Sequence, residues 1–92
     1  MNKELKRILS YGIHFDKPTN CWVRIEATKY DAETLEIVSW VVRKGNTAMS
    51  KHDGHFDFET MPSNRDEDYI NEYRFSTVEE AEQCWNKFYN KL

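Results

Sequence analysis

The sequence predicts an α+β fold: an antiparallel sheet of about four strands in meander order, with an N-terminal helix and a longer C-terminal helix packed on it, in the order α-β-β-β-β-α. Three observations point there. Two runs rich in β-branched and aromatic residues, CWVRIEATKY (21–30) and LEIVSWVVR (35–43), are separated by only four residues. The stretch HDGHFDFE (52–59) sets an Asp-Gly pair beside alternating phenylalanines. The closing stretch STVEEAEQCWNKFYNKL repeats apolar residues every three or four positions behind a capping signal.

Taken in order, KELKRILSY (3–11) places Leu5, Ile8 and Leu9 on one helical stripe, with Asn2 able to cap it and Gly12 to end it. Lys17-Pro18-Thr19-Asn20 is a turn. Pairing Tyr30 with Leu35 then sets Lys29 opposite Glu36, Ala27 opposite Val38, Ile25 opposite Trp40 and Val23 opposite Val42. One face is thereby nearly all apolar, and a one-residue slip would scatter it over both faces. The other face carries Trp22, Arg24, Glu26 and Thr28 opposite Arg43, Val41, Ser39 and Ile37, and it is apolar enough to need partial cover.

Gly45-Asn46 breaks the chain, and residues 47–61 hold one or two short strands around Asp53-Gly54. Met61 to Asp68 reads as a loop with an acidic run, and YINEYRF (69–75) as a strand with Tyr69, Tyr73 and Phe75 on one face. Ser76 with Glu79, or Thr77 with Glu80, forms a capping box for the last helix. Val78, Ala81, Trp85, Phe88 and Leu92 make that helix's buried stripe, expected to lie on the Val23/Ile25/Trp40/Val42 face.

Ninety-two residues, 39% apolar and 32% charged, make one domain (1–92) with one core. No apolar run approaches the roughly 18 residues of a membrane span, and the amino-terminal stretch has no apolar signal region. Cys21 and Cys84 are expected to be reduced, and the protein cytoplasmic. The net charge of −3 is unevenly laid out. Residues 1–52 hold nine basic against six acidic side chains, whereas residues 53–82 hold only Arg65 and Arg74 against ten acids. Such a segment repels phosphate and attracts basic surfaces.

Glu59, Asp66, Glu67, Asp68, Glu72, Glu79, Glu80 and Glu82 are the candidate acidic recognition surface. Trp22, Tyr30, Ile37 and Val41, rimmed by Arg24 and Arg43, are a candidate aromatic contact or dimer face, because Trp, Tyr and Arg dominate binding hot spots. A two-residue turn at Asp53-Gly54 would make His52 and His55 cross-strand neighbours with Asp57 on the same face, an alternative zinc-type set; the favoured reading is an ordinary turn with no metal and no cofactor. No glycine-framed serine, low-pKa cysteine setting or phosphate-cradling glycine loop is present, so no enzymatic activity is expected. The basic cluster Lys3, Lys6 and Arg7 is too small for direct nucleic-acid binding in a net acidic chain.

The short length, the acidic asymmetry and the sheet closed by a capped aromatic helix are similar in style to small accessory proteins of bacteriophages and mobile elements. That likeness implies inhibition of a host defence or nucleic-acid-handling protein by covering a surface; with no shared motif, it assigns no residue roles. The expected function is a non-enzymatic protein-interaction module. The alternatives are the divalent-metal site and a structural homodimer; neither nucleic acid nor membrane is an expected partner.

Overall fold

Alternation of apolar residues along the chain's centre builds a sheet, and the computed structural model describes it within residues 10–89. Five antiparallel strands follow one another in sequence order: β1 (Ser10–Asp16), β2 (Cys21–Tyr30), β3 (Ile37–Lys44), β4 (Thr47–Met49) and β5 (Phe56–Phe58). A single 3-10 turn (Pro62–Asn64) leads to helix α1 (Glu67–Tyr73) and then to α2 (Val78–Tyr89).

The helix expected over 3–11 falls mainly outside the described residues. Its last two positions do not continue it: Ser10 and Tyr11 belong to β1, and Gly12, expected to stop the helix, lies inside that strand. Tertiary pairing wins there. Tyr11 sits opposite Ile25, and its hydroxyl donates to Glu82 of α2 at 2.6 Å. Gly12 has its own reason, since a Cβ at that position would lie 2.8 Å from the Trp22 ring.

The β2–β3 hairpin keeps the expected faces from Val23 to Ala27 but not the expected register; beyond the irregularity at Ala27–Tyr30, Ile37, expected on the second face, packs against the first-face core, and Val38, expected on the first, is 43% exposed. Ile25 pairs with Val42 and Ala27 with Trp40, two residues further along β3 than the turn at 31–34 would allow. The cause is local. Asp31 accepts from the N–H groups of Glu33 and Thr34, and its own N–H donates to Glu36 O, so the turn slides by one residue and Leu35 takes a positive φ of 62°. A shift of two preserves side-chain parity, which is why the core survives the error. Val23, Ile25, Trp40 and Val42 are buried in one cluster with Met49, Phe75 and Ala81. Val78, Cys84 and Trp85 of α2 pack against it, as the sequence predicts.

Residues 69–75 are the main departure. They form α1 and a single extended rung rather than a strand. The acidic run is the reason: Asp66 caps the helix by accepting from Tyr69 N–H at 2.9 Å, and Glu67 and Asp68 occupy the first turn, where the helix dipole favours negative charge. Tyr69 and Tyr73, one helical turn apart, pack with their rings tilted and centroids 4.7 Å apart. Phe75 then exchanges two backbone hydrogen bonds with Trp40 on the edge of β3.

At α2, Thr77 is the cap: its hydroxyl accepts from Glu80 N–H at 3.1 Å. Glu80 reaches one residue beyond the capping box and accepts from Ser76 N–H. The second hairpin turns through four residues, with Ser50 N–H donating to His55 O and Gly54 N–H to Ser50 O. Phe56 and Phe58 share Met49's face by alternation, but Phe58 lies at the sheet's end and is 79% exposed.

Two glycines with positive φ provide a paired test. A Cβ on Gly54 (φ +80°) would lie 2.8 Å from Cβ and 2.6 Å from Cγ of Phe88, whereas one on Gly45 (φ +59°) meets nothing within 4 Å. Gly45→Ala is expected to cost about 1 kcal/mol from backbone strain alone, and Gly54→Ala roughly 2–4 kcal/mol because overpacking adds to it. Urea denaturation of both variants measures the difference.

Candidate functional site

The second sheet face is built around one carboxylate. By alternation it carries Arg24, Glu26, Val41, Arg43, Ala48 and Asp57, of which Val41 and Ala48 are fully buried. Glu59, just beyond β5, is 12% exposed in its side chain and accepts from Arg43 Nε at 2.8 Å and Arg74 Nη2 at 2.7 Å, with Arg65 Nη2 at 3.5 Å. Arg43 also reaches Glu26, which bonds Arg24 in turn. The two-residue register shift set Arg24 directly opposite Arg43, a repulsive pair, and Glu26 relieves it by binding both. Arg65 and Arg74 both lie near the Tyr69 ring, with guanidinium carbons 5.7 and 5.4 Å from its centroid.

Burial by itself would raise the Glu59 carboxyl; the hydrogen bond from Arg74 and the charge of Arg43 outweigh it and hold the group below its ordinary 4.5. Cover for this face therefore comes from α1 and its flanks. Tyr73 completes it by donating to Asp57 at 2.6 Å, a bond that with burial pushes the phenol well above its usual range.

The eight acids expected on one recognition surface divide. Glu59 is turned inward, and Glu72 is half-buried, accepting from the Ser50 hydroxyl at 2.7 Å. Asp66, Glu67, Asp68, Glu79, Glu80 and Glu82 are exposed, in and beside the two helices. Asp66 and Glu80 also cap, and Glu82 accepts from Tyr11. Arg65 and Arg74, the basic side chains of residues 53–82, both point at Glu59, with Arg74 only 5% exposed. The helices accordingly show acids outward.

The aromatic face does not assemble as one patch. Trp22 is 53% exposed and packs edge-on against Phe15 at 5.5 Å; Tyr30 is 51% exposed at the far end of β2, about 26 Å away along the strand. Ile37 is half-buried, Val41 is buried, and Arg43 is committed to the ion network, while Arg24 stays exposed.

His52 and His55 are not cross-strand neighbours, because the loop takes four residues where a two-residue turn was expected. His55 instead lies between Asp53 and Asp57, its Nε2 2.7 Å from Asp57 and its Nδ1 against Asp53. Among the described residues no group of three His, Cys, Asp or Glu side chains is arranged to hold a metal ion. The bond to Asp53 raises the His55 pKa above its ordinary 6.5, against the smaller opposing effect of burial. Cys21 and Cys84 are free thiols, and burial raises that of Cys84.

A cavity of about 290 Å³ opens between β1 and α2, walled by Phe56 and the stacked Trp85 and Tyr89, with His14, Asp16 and Lys44 at its polar side. His14 and Asp16 are close to this helix only through the β1–β2 pairing, so no local signal marks them. No helix among the described residues is long and apolar enough to cross a membrane. Comparison with known proteins finds no matching family model, no matching curated protein and no matching solved structure.

Glu59→Gln leaves three guanidinium groups around a neutral amide and is expected to destabilise the fold by about 3 kcal/mol. Because the folded carboxyl titrates low, its stabilisation is complete above the ordinary 4.5 and is lost as pH falls through the lowered value. Thermal melting of wild type and variant across that range checks both statements. His55 behaves oppositely: the turn gains from its protonated form below 6.5 and loses that gain as pH rises through the raised value. A side-chain NMR titration is expected to place the His55 midpoint above 6.5, and Asp53→Asn to lower it.

Proposed function

We propose that the chain is a non-enzymatic protein-interaction module that uses the exposed carboxylates of α1 and the first turns of α2 to hold a partner with a basic surface. One observation carries this reading. The two basic side chains of residues 53–82 are both drawn onto Glu59, so the acids around the helices face solvent without neighbouring cations from that segment. α1 contains three acids and no basic residue; α2 has Glu79 and Glu80 in its first turn and Glu82 just beyond, with its one lysine at the far end.

Carboxylates arranged along two helices attract a basic groove at long range and can stand where phosphates would. Inhibition of a nucleic-acid-handling protein by covering its groove is the specific form of this proposal, and it draws on the likeness to phage and mobile-element accessory proteins.

The test uses Glu67→Gln, Asp68→Asn and Glu79→Gln together, which spares the capping residues Asp66 and Glu80; circular dichroism of the variant checks that α1, which loses two first-turn charges, still forms. Wild type is expected to retain a basic protein from native lysate at low salt, with amide exchange slowed across α1 and α2 in the complex. The triple variant is expected to lose at least tenfold in affinity, the loss shrinking as salt is raised. Retention unchanged in the triple variant refutes the reading. Exposure of the Phe15–Trp22 pair favours self-association as a second reading, and sedimentation of wild type against Trp22→Ser distinguishes it.

A further inference from the structure

The first hairpin, the 50–55 loop and residues 65–76 enclose a second groove, about 470 Å³ in volume and far from the acidic turns in chemistry. Four cations from separate parts of the chain line it: Lys29, Lys51, Arg65 and Arg74. No carboxylate does. Ser39 and Ser76 add hydroxyls, and Phe75 provides an apolar wall over which the Lys51 ammonium lies, 5.0 Å from the ring centroid.

Charge bookkeeping shows why this groove stays positive. Of the arginines that meet on Glu59, Arg65 and Arg74 line the groove while Arg43 does not, so on the groove side two guanidinium groups share one carboxylate. Among the described residues Lys29 and Lys51 pair with no carboxylate and add two more cations. Glu72 and Glu80 flank the lining residues Asn71 and Ser76 and keep their charge while accepting from the Ser50 hydroxyl and the Ser76 N–H, but neither lines the groove. A walled pocket lined by one sign of charge concentrates counter-ions, and here the whole protein is net negative, so the field is local.

We infer that this groove binds a small phosphate-bearing ligand, with the phosphate held by Lys29, Lys51 and Arg65 above Arg74 and its organic part against Phe75. A phosphate dianion suits a lining of four cations and no carboxylate, its tetrahedral oxygens accept from ammonium, guanidinium and hydroxyl donors together, and the volume suits a small molecule. Arg74, already held by Glu59 and donating to Tyr73 O, acts as a fixed positive floor; the lysines are the arms free to close on the ligand. This groove shares α1 with the acidic surface, Ile70 and Asn71 lining it one helical turn from Glu67 and Asp68, so phosphate binding is read in the chain with those acids unchanged.

The experiment is a backbone-amide NMR titration of the full chain with inorganic phosphate and, in a second arm, a nucleoside monophosphate; sodium chloride at matched ionic strength is the control. Saturable shifts at Ser39, Asn71 and Ser76, absent with chloride, are expected. Tighter binding of the nucleotide identifies an organic phosphate as the ligand, and equal binding identifies the free ion. The Lys29→Ala/Lys51→Ala variant, which leaves the ion network untouched, is expected to bind at least about tenfold more weakly, and Lys44→Ala, at another cavity, as wild type does. Shifts that do not saturate, shifts that chloride reproduces, or equal affinity in the double-lysine variant overturn the assignment.

Discussion

The carboxylate of Glu59 receives three arginines from three parts of the chain, and the closure of the second sheet face depends on that convergence. Arg43 comes from β3, Arg65 from the turn before α1, and Arg74 from the residue after it. A guanidinium as buried as that of Arg74 is tolerable only with its charge answered. Because the answer comes from beyond β5, α1 is held over the sheet at both ends, and Val41 and Ala48 are shut from water. The same convergence turns Arg65 and Arg74 toward Glu59 and the groove that they line beside α1.

The first face works by different physics. There Val23, Ile25, Trp40, Val42 and Met49 are buried by α2 through apolar contact, with no ionic partner in the cluster. The loop at 50–55 joins the two systems. Ser50 and Lys51 hold the end of α1 through Glu72, while Gly54 sits against Phe88 and accepts from the Tyr89 hydroxyl of α2. A stretch whose composition resembles a ligand set thus serves as a clasp between helices, and its histidines are left at the edge of that role.

Much of this fold was legible where the signal is local and periodic. β2 has its expected bounds, the turn at Lys17–Asn20 is present, and the α2 cap uses Thr77 and Glu80. Errors arose where two periodicities fit the same residues. Tyr69 and Tyr73 lie four apart, which matches one face of a strand and equally one stripe of a helix, and the acidic run that decides between them reads as loop until its capping role is recognised. Of the site, the outward acids of the helices were visible, but the inward turn of Glu59 was not, because its two closest partners, Arg43 and Arg74, lie 16 and 15 residues away along the chain.

The amino-acid order alone determined which side chains share a sheet face where the strands are regular, from Val23 to Ala27 and from Trp40 to Arg43, since alternation is a property of the backbone and survives a two-residue slip in register but not the bulge beyond it. It also determined the last helix, whose cap, acidic first turn and apolar stripe lie within seventeen consecutive residues. Only the tertiary structure decided which charges meet. Coulombic pairing depends on distance through space, and that distance is set by how strands and helices stack; the sequence shows ten acids and two arginines in one segment, while the fold turns both arginines onto a single acid and leaves seven exposed.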